Sequence, residues 1–294
     1  MKKQTLMIVI WIITMMGIKP IYSQTFLGEL CSIYGFSKGY AITAEHLGLE
    51  SAYKNPAGIT HIRALTIGTG YSTFFDNGYY AASLGIGLPV GSDFVLSLNV
   101  PIRVVDGIPE TVEVSGLGEK IGTFSDTNGA IILSLGSRHL APVYLGVSLK
   151  GIFHTIMDTS ATGIAFDAGV LAELGIFKLG ASVQNAGSTP LEWDTGNTDE
   201  MTQQINLGIS AAVIPDLTLL ADTTIESNQS LINFGAEFNV SPMLSVQGGL
   251  KDISGDCFLT FGTRIAMDNI QMFYAYAQHE ALGGTHKFGF TSEF

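Results

Sequence analysis

From residue 62 to the C-terminus, apolar and polar residues alternate with a period of two, the mark of strands with one face toward an apolar medium. Leu65, Ile67, Thr69 and Tyr71 oppose Thr66, Gly68, Gly70 and Ser72, and Asp76-Asn77-Gly78 then reads as a hairpin turn. Ala82, Leu84, Ile86 and Leu88 oppose Ser83, Gly85 and Gly87 in the second strand. The pattern predicts further strands at about 94–104, 129–138, 143–154, 162–174, 176–185, 203–213, 217–226, 230–240, 243–251, 257–267, 269–278 and 285–294. That makes 14, an even number. Two long polar stretches, 105–128 and 186–202, read as loops on one side, and the turns on the other side are short. Long loops on one side and short turns on the other are the asymmetry of a transmembrane barrel.

The last strand carries the argument for closure. Phe288, Phe290 and Phe294 fall on one face and Lys287, Thr291 and Glu293 on the other, and the chain stops on an aromatic residue. In a closed barrel the last strand must pair with the first, because no open sheet edge survives in lipid. The expected fold is therefore all-β, a transmembrane antiparallel barrel of about 14 strands.

Residues 24–61 lack the alternation. Ala44 to Tyr53 could form about two helical turns, and Asn55-Pro56-Ala57-Gly58 reads as a hard turn. The segment is a poor strand and a candidate hatch in the lumen. Inward positions rich in glycine (Gly68, Gly85, Gly146, Gly180, Gly208, Gly235) either make room for it or relieve curvature. Before it, Lys2 and Lys3, an apolar run at 6–18 and Ile21-Tyr22-Ser23 match a cleaved secretory signal, residues 1–23. The expected division is thus 1–23 signal, 24–61 hatch and 62–294 barrel, in a bacterial outer membrane.

Composition agrees. Charged residues are 14%, against about 25% in a typical soluble domain. Glycine supplies 35 of 294 residues, well above the usual share of about 7%. The net charge of −12 argues against nucleic acid as a partner. Cys31 and Cys257 lie in a compartment that permits a disulfide, and two unpaired thiols fit equally well.

Candidate chemistry is sparse. Gly35-Phe36-Ser37-Lys38-Gly39 matches G-x-S-x-G but lacks the strand before and helix after that a nucleophile elbow needs. The six histidines show no metal-ligand spacing. No cofactor, metal or enzyme activity is expected. The charges expected to face the lumen are Lys150, Asp167, Glu173, Lys178, Asp222, Glu237, Lys251 and Arg264, four acids and four bases that would pair with one another or with the hatch.

Asn55-Pro56-Ala57-Gly58, the run Leu179 to Gly187 (LGASVQNAG), and the end Tyr274-Ala275-Tyr276 … Gly284-Thr285-His286 … Phe294 resemble the PorV/PorQ family of FadL-like outer-membrane barrels. Two functions are implied by that resemblance. FadL-like proteins pass hydrophobic small molecules through a hatch-plugged lumen and a lateral gap in the third strand. PorV-like proteins take part in type IX secretion and hold exported proteins at outer loops. A structural barrel without transport is a third possibility. Pro101 in strand three removes a ladder donor. It marks either a lateral opening or the point where strand three ends. The acids of the two long loops (Asp106, Glu110, Glu113, Glu119, Glu192, Asp194, Asp199 and Glu200) are candidates for contact with a partner or a divalent cation, or are solvated charges.

Overall fold

The structure, a computed structural model, describes residues 27–114, 117–227, 229–255, 257–279 and 282–294. The expected signal at 1–23 lies outside them.

Fourteen antiparallel strands form one closed wall: β1 (Thr66–Phe74), β2 (Tyr79–Val90), β3 (Phe94–Val114), β4 (Leu117–Ser137), β5 (Val143–Ile156), β6 (Thr159–Leu174), β7 (Phe177–Ala186), β8 (Gln204–Ile214), β9 (Leu217–Glu226), β10 (Gln229–Ser241), β11 (Leu244–Lys251), β12 (Phe258–Met267), β13 (Ile270–His279) and β14 (Gly283–Glu293). Each pairs with its sequence neighbour, and β1 pairs with β14 from Thr66↔Glu293 to Thr73↔His286. Closure leaves no edge in lipid. Phe288 and Phe290 stand outward on β14. Phe294 lies one residue beyond the strand, and its N–H donates to Leu65 O at 2.8 Å. Leu84, Leu133, Val147, Phe166 and Phe261 belong to an exposed apolar belt around the outside. Their inward neighbours are buried, so the period-two reading of the wall is the reading of its two faces.

The stretch 105–128 is not a loop. It is the top of a long hairpin in which β3 and β4 each run for 21 residues. Crossing a bilayer takes about 9–11 residues, so roughly half of each strand stands clear of the membrane. There both faces meet water and the apolar alternation vanishes. Two register shifts, at Val105/Ile108 and Glu110/Thr111, further scramble the pattern. The other long stretch carries a small hairpin, Leu191–Trp193 with Thr198–Asp199, that pairs with the start of β6.

Inside the wall lies the N-terminal segment. It contains α1 (Leu27–Cys31), α2 (Tyr34–Ser37) and two 3-10 turns, Gly48–Tyr53 and Pro56–His61. The helix expected at 44–53 is the shorter 3-10 turn. Asn55 caps the second turn, its Oδ1 accepting from Ala57 N at 3.1 Å. Gly58 is not among the glycines with positive φ. It is small because a Cβ would lie 2.5 Å from Glu45 O.

Candidate functional site

The wall is shaped to its contents. A Cβ on Gly146 would fall 2.2 Å from Ala57 N, one on Gly180 would fall 2.1 Å from Thr43 O, and one on Gly249 would fall 2.0 Å from Gly39 N. These glycines let backbone meet backbone.

Charges then tie segment to wall. Lys54 Nζ meets Asp222 Oδ1 at 2.9 Å and donates to Tyr40 O at 2.9 Å. Asp222 Oδ2 accepts Thr43 N at 2.9 Å. Lys38 pairs with Glu237, with Glu45 at 3.6 Å, and lies 4.0 Å over the Tyr34 ring. These neighbours hold the Lys38 ammonium above its ordinary range against the opposing cost of burial. The Tyr34 hydroxyl also donates to Glu237, and Arg264 approaches that carboxylate at 3.9 Å. Lys178 reaches Glu45 at 3.5 Å. Within the segment, Glu50 accepts from Ser32 Oγ, Ile33 N, Tyr34 N and Gly35 N, which binds the first helices to the 3-10 turn.

Of the eight charges expected to face the lumen, Lys150 and Asp167 pair with each other within the wall at 2.7 Å. Glu173, Lys178, Asp222 and Glu237 meet partners in the segment. Arg264 shares Glu237, and Lys251 lies 5.1 Å over the Phe258 ring. The segment's own charges, Lys38, Glu45, Lys54 and His46, were missed. They sit in a stretch with no periodicity to assign them a face. Cys31 and Cys257 are free. Cys31 is buried, its thiol pushed up to about 12 chiefly by burial, and its Sγ lies 3.3 Å from Ala82 O.

At the end of the barrel that bears the long hairpin, a pocket of about 210 Å³ opens between wall and segment. Phe74, Phe75 and Tyr79 form one side, with Phe74 and Tyr79 stacked at 4.5 Å. Phe258 and Ala277 form the other, and Leu30 and Phe36 of the segment make the floor. The Lys287 ammonium lies 4.2 Å over Phe36 and donates to Leu30 O and Ser32 O, so the floor is fixed through its carbonyls. The surface it offers is mainly apolar and aromatic, with Lys251, Gln278, His279, Thr285 and Lys287 as its polar members, which suits a small hydrophobic molecule.

From this pocket an apolar cluster continues along the wall. Leu30, Phe75 and Tyr79 pack on Cys31, Phe74, Ala81, Ala130 and Ile132. Ala130 lies where β4 passes Pro101. There β3 stays paired with β2, Ser83↔Pro101 included, but its pairing with β4 lapses between Asn99↔Ile132 and Ile102↔Gly129. The register is the same on both sides of the lapse, so the strand neither ends nor bulges. A residue without an N–H stands where a ladder bond is missing.

At the opposite mouth, His46, His61 and Glu173 bring three ligand-type atoms within 4.8 Å of one another. Nothing in sequence spacing could gather them, because two come from the segment and one from β6.

Comparison with known proteins locates the fold. The Ralstonia pickettii toluene transporter TbuX is 14% identical and aligns over 90% of this chain and 99% of its own, with a TM-score of 0.67. The P. putida toluene transporter TodX is 11% identical over 91% and 99%, TM-score 0.69. A Pseudomonas aeruginosa FadL homologue is 9% identical over 94% and 100%, TM-score 0.61. No protein-family model and no curated protein sequence matches the chain. The fold is the closed 14-stranded barrel of these outer-membrane proteins, and the apolar belt sets its wall in lipid.

Proposed function

We propose that the protein is a non-enzymatic outer-membrane transporter of small hydrophobic molecules, with residues 24–61 as a hatch in its lumen. The observation that carries this reading is the aromatic pocket of about 210 Å³. An apolar cavity of about 150 Å³ is enough to hold benzene, so a toluene-sized ligand fits. The structural neighbours that are toluene transporters agree with that ligand class. From the pocket the ligand follows the apolar cluster to Pro101, where the lapsed pairing with β4 serves as a lateral opening into the bilayer. The N-terminal hatch turn Asn55–Gly58 stays seated against β5 and β6 throughout.

The test is uptake of radiolabelled toluene by proteoliposomes or by an outer-membrane-tight host. Ala277 is buried beside Phe36 in the pocket wall. Ala277→Trp fills the space and should reduce uptake at least tenfold, while boiled and unboiled samples still migrate differently, as a folded barrel does. Unchanged uptake by a folded Ala277→Trp barrel refutes the reading.

A second reading follows from the hairpin. β3 and β4 rise about ten residues clear of the bilayer, with Glu110, Glu113 and Glu119 exposed or half-exposed on it. Such a platform suits a PorV/PorQ-type component of type IX secretion that docks exported proteins. Truncating 105–128 to a short turn separates the two: transport survives it, and co-purification of secreted proteins from outer membranes does not.

A further inference from the structure

We infer that His46, His61 and Glu173 form a binding site for one divalent transition-metal ion of the zinc type, which clips the inner segment to β6 at the mouth opposite the long hairpin. His46 Nε2 lies 3.3 Å from Glu173 Oε1, and His61 Nε2 lies 4.0 Å from it. Ligand atoms around tetrahedral zinc stand about 3.3 Å apart when the bonds are about 2.0 Å, so one edge is already in place. The other edges close by a turn of His61, the more exposed ring at 36%. The two rings stack at 3.4 Å.

The second observation is His46 itself. Its side chain is 3% exposed, and its ring nitrogens meet only the Gly58 backbone and, at 3.3 Å, Glu173 Oε1. A buried imidazole so thinly partnered calls for a further partner. Burial, the His61 ring and the Lys178 and Arg63 charges push it down to about 3. Burial also lowers His61, against the Glu173 charge. The carboxylate is oriented from behind: Tyr144 donates to Glu173 Oε2 at 3.0 Å, and its ring stands edge-on to both histidines at 5.0 and 5.6 Å. An outer partner of this sort fixes a metal ligand. Arg63, Arg138 and Lys178 are the cations that face the site. Arg138 is engaged with Thr60 O and Ile62 O, and Lys178 with Glu45. Their charge opposes a cation and lowers the expected affinity.

The inference stands apart from transport. It is tested by titrating Zn²⁺, calorimetrically, into the full chain purified in detergent without chelator or histidine tag, with Co²⁺ absorption as a second readout. One saturable equivalent is expected. His61→Ala and Glu173→Gln should each weaken it at least tenfold, with heat-modifiable migration confirming the barrel. His61 is partly exposed, so its variant keeps the fold; should it fail, Glu173→Gln decides. Absence of one-equivalent binding, or binding unchanged in a folded variant, overturns the assignment.

Discussion

The Lys54–Asp222 pair offers a sharp test of how the inner segment is held. Both side chains are almost wholly enclosed, at 1% and 0% exposure. Asp222→Ala removes the partner of a buried ammonium and the acceptor of Thr43 N. Lys54 keeps Tyr40 O and the Tyr40 ring 4.5 Å away, which soften the loss without neutralising the charge. Breaking one side of a buried pair costs about 3–5 kcal/mol. At about 1.4 kcal/mol per factor of ten, that is roughly two to three and a half orders of magnitude in the equilibrium between seated and released segment. The ladder around β9 is backbone and does not depend on this carboxylate. Hydrogen exchange on the detergent-solubilised protein is therefore expected to quicken at residues 38–60 by that factor, while β8 to β10 keep their protection. The double variant Lys54→Met/Asp222→Leu replaces charge with apolar volume and should restore most of the lost protection. Slow exchange in the single variant, or equal loosening of strands and segment, would refute the argument that this pair seats the segment.

Two further outcomes follow from the same contacts. His46 has a folded-state pKa depressed to about 3 from an ordinary 6.5. Between those values the unfolded chain binds more protons, so its contribution to stability is complete above pH 6.5. It is then lost by about 1.4 kcal/mol per pH unit as pH falls toward 3. Thermal unfolding measured from pH 7.5 to 4 should show this loss, and His46→Phe should flatten it. Pro101→Val supplies an N–H and should close the ladder to β4, adding about 1 kcal/mol of stability and slowing hydrocarbon release several-fold. A closed ladder with undiminished uptake would remove the lateral opening from the proposal.

Most of the wall could be read from its alternation because lipid and lumen impose opposite chemistry on successive residues. Leu207, Ile209 and Ala211 against Asn206, Gly208 and Ser210 is the same statement in sequence and in space. Where the medium is the same on both faces, as in the β3–β4 hairpin above the membrane, the signal disappears and strand reads as loop. The wall's charges were visible for the same reason as the strands. Their partners were not: Lys38, Glu45 and Lys54 take their positions from irregular backbone fitted against glycines on distant strands. The pocket and the histidine cluster are likewise products of closure, each gathering residues from both ends of the chain or from both segment and wall.

The division of contacts around the lumen bears on how a ligand could move. The ion pairs between segment and wall named above fall on β6 to β10. Toward β1 to β4 the same segment presents Cys31, Leu49, Tyr53, Ile59 and Ile62 to Phe74, Ala81, Val95, Ala130 and Ile132. The pocket opens at one end of this apolar side, and the lapse at Pro101 adjoins it. Apolar contacts are non-directional and can be remade around a guest of similar character. A buried ion pair has one good geometry and is costly to break. A hydrophobic molecule can therefore pass between segment and wall on the β1–β4 side while the segment stays tied to the far side. On this reading the hatch does not leave the barrel. Asp222→Ala, which loosens the far side, should change uptake much less than Ala277→Trp or Pro101→Val. If Asp222→Ala alone produced a large rise in conductance to hydrophilic solutes without altering hydrocarbon uptake, the two paths would be separate, as the two sides of the segment imply. If hydrocarbon uptake rose with it, transport would require the segment to move as a whole.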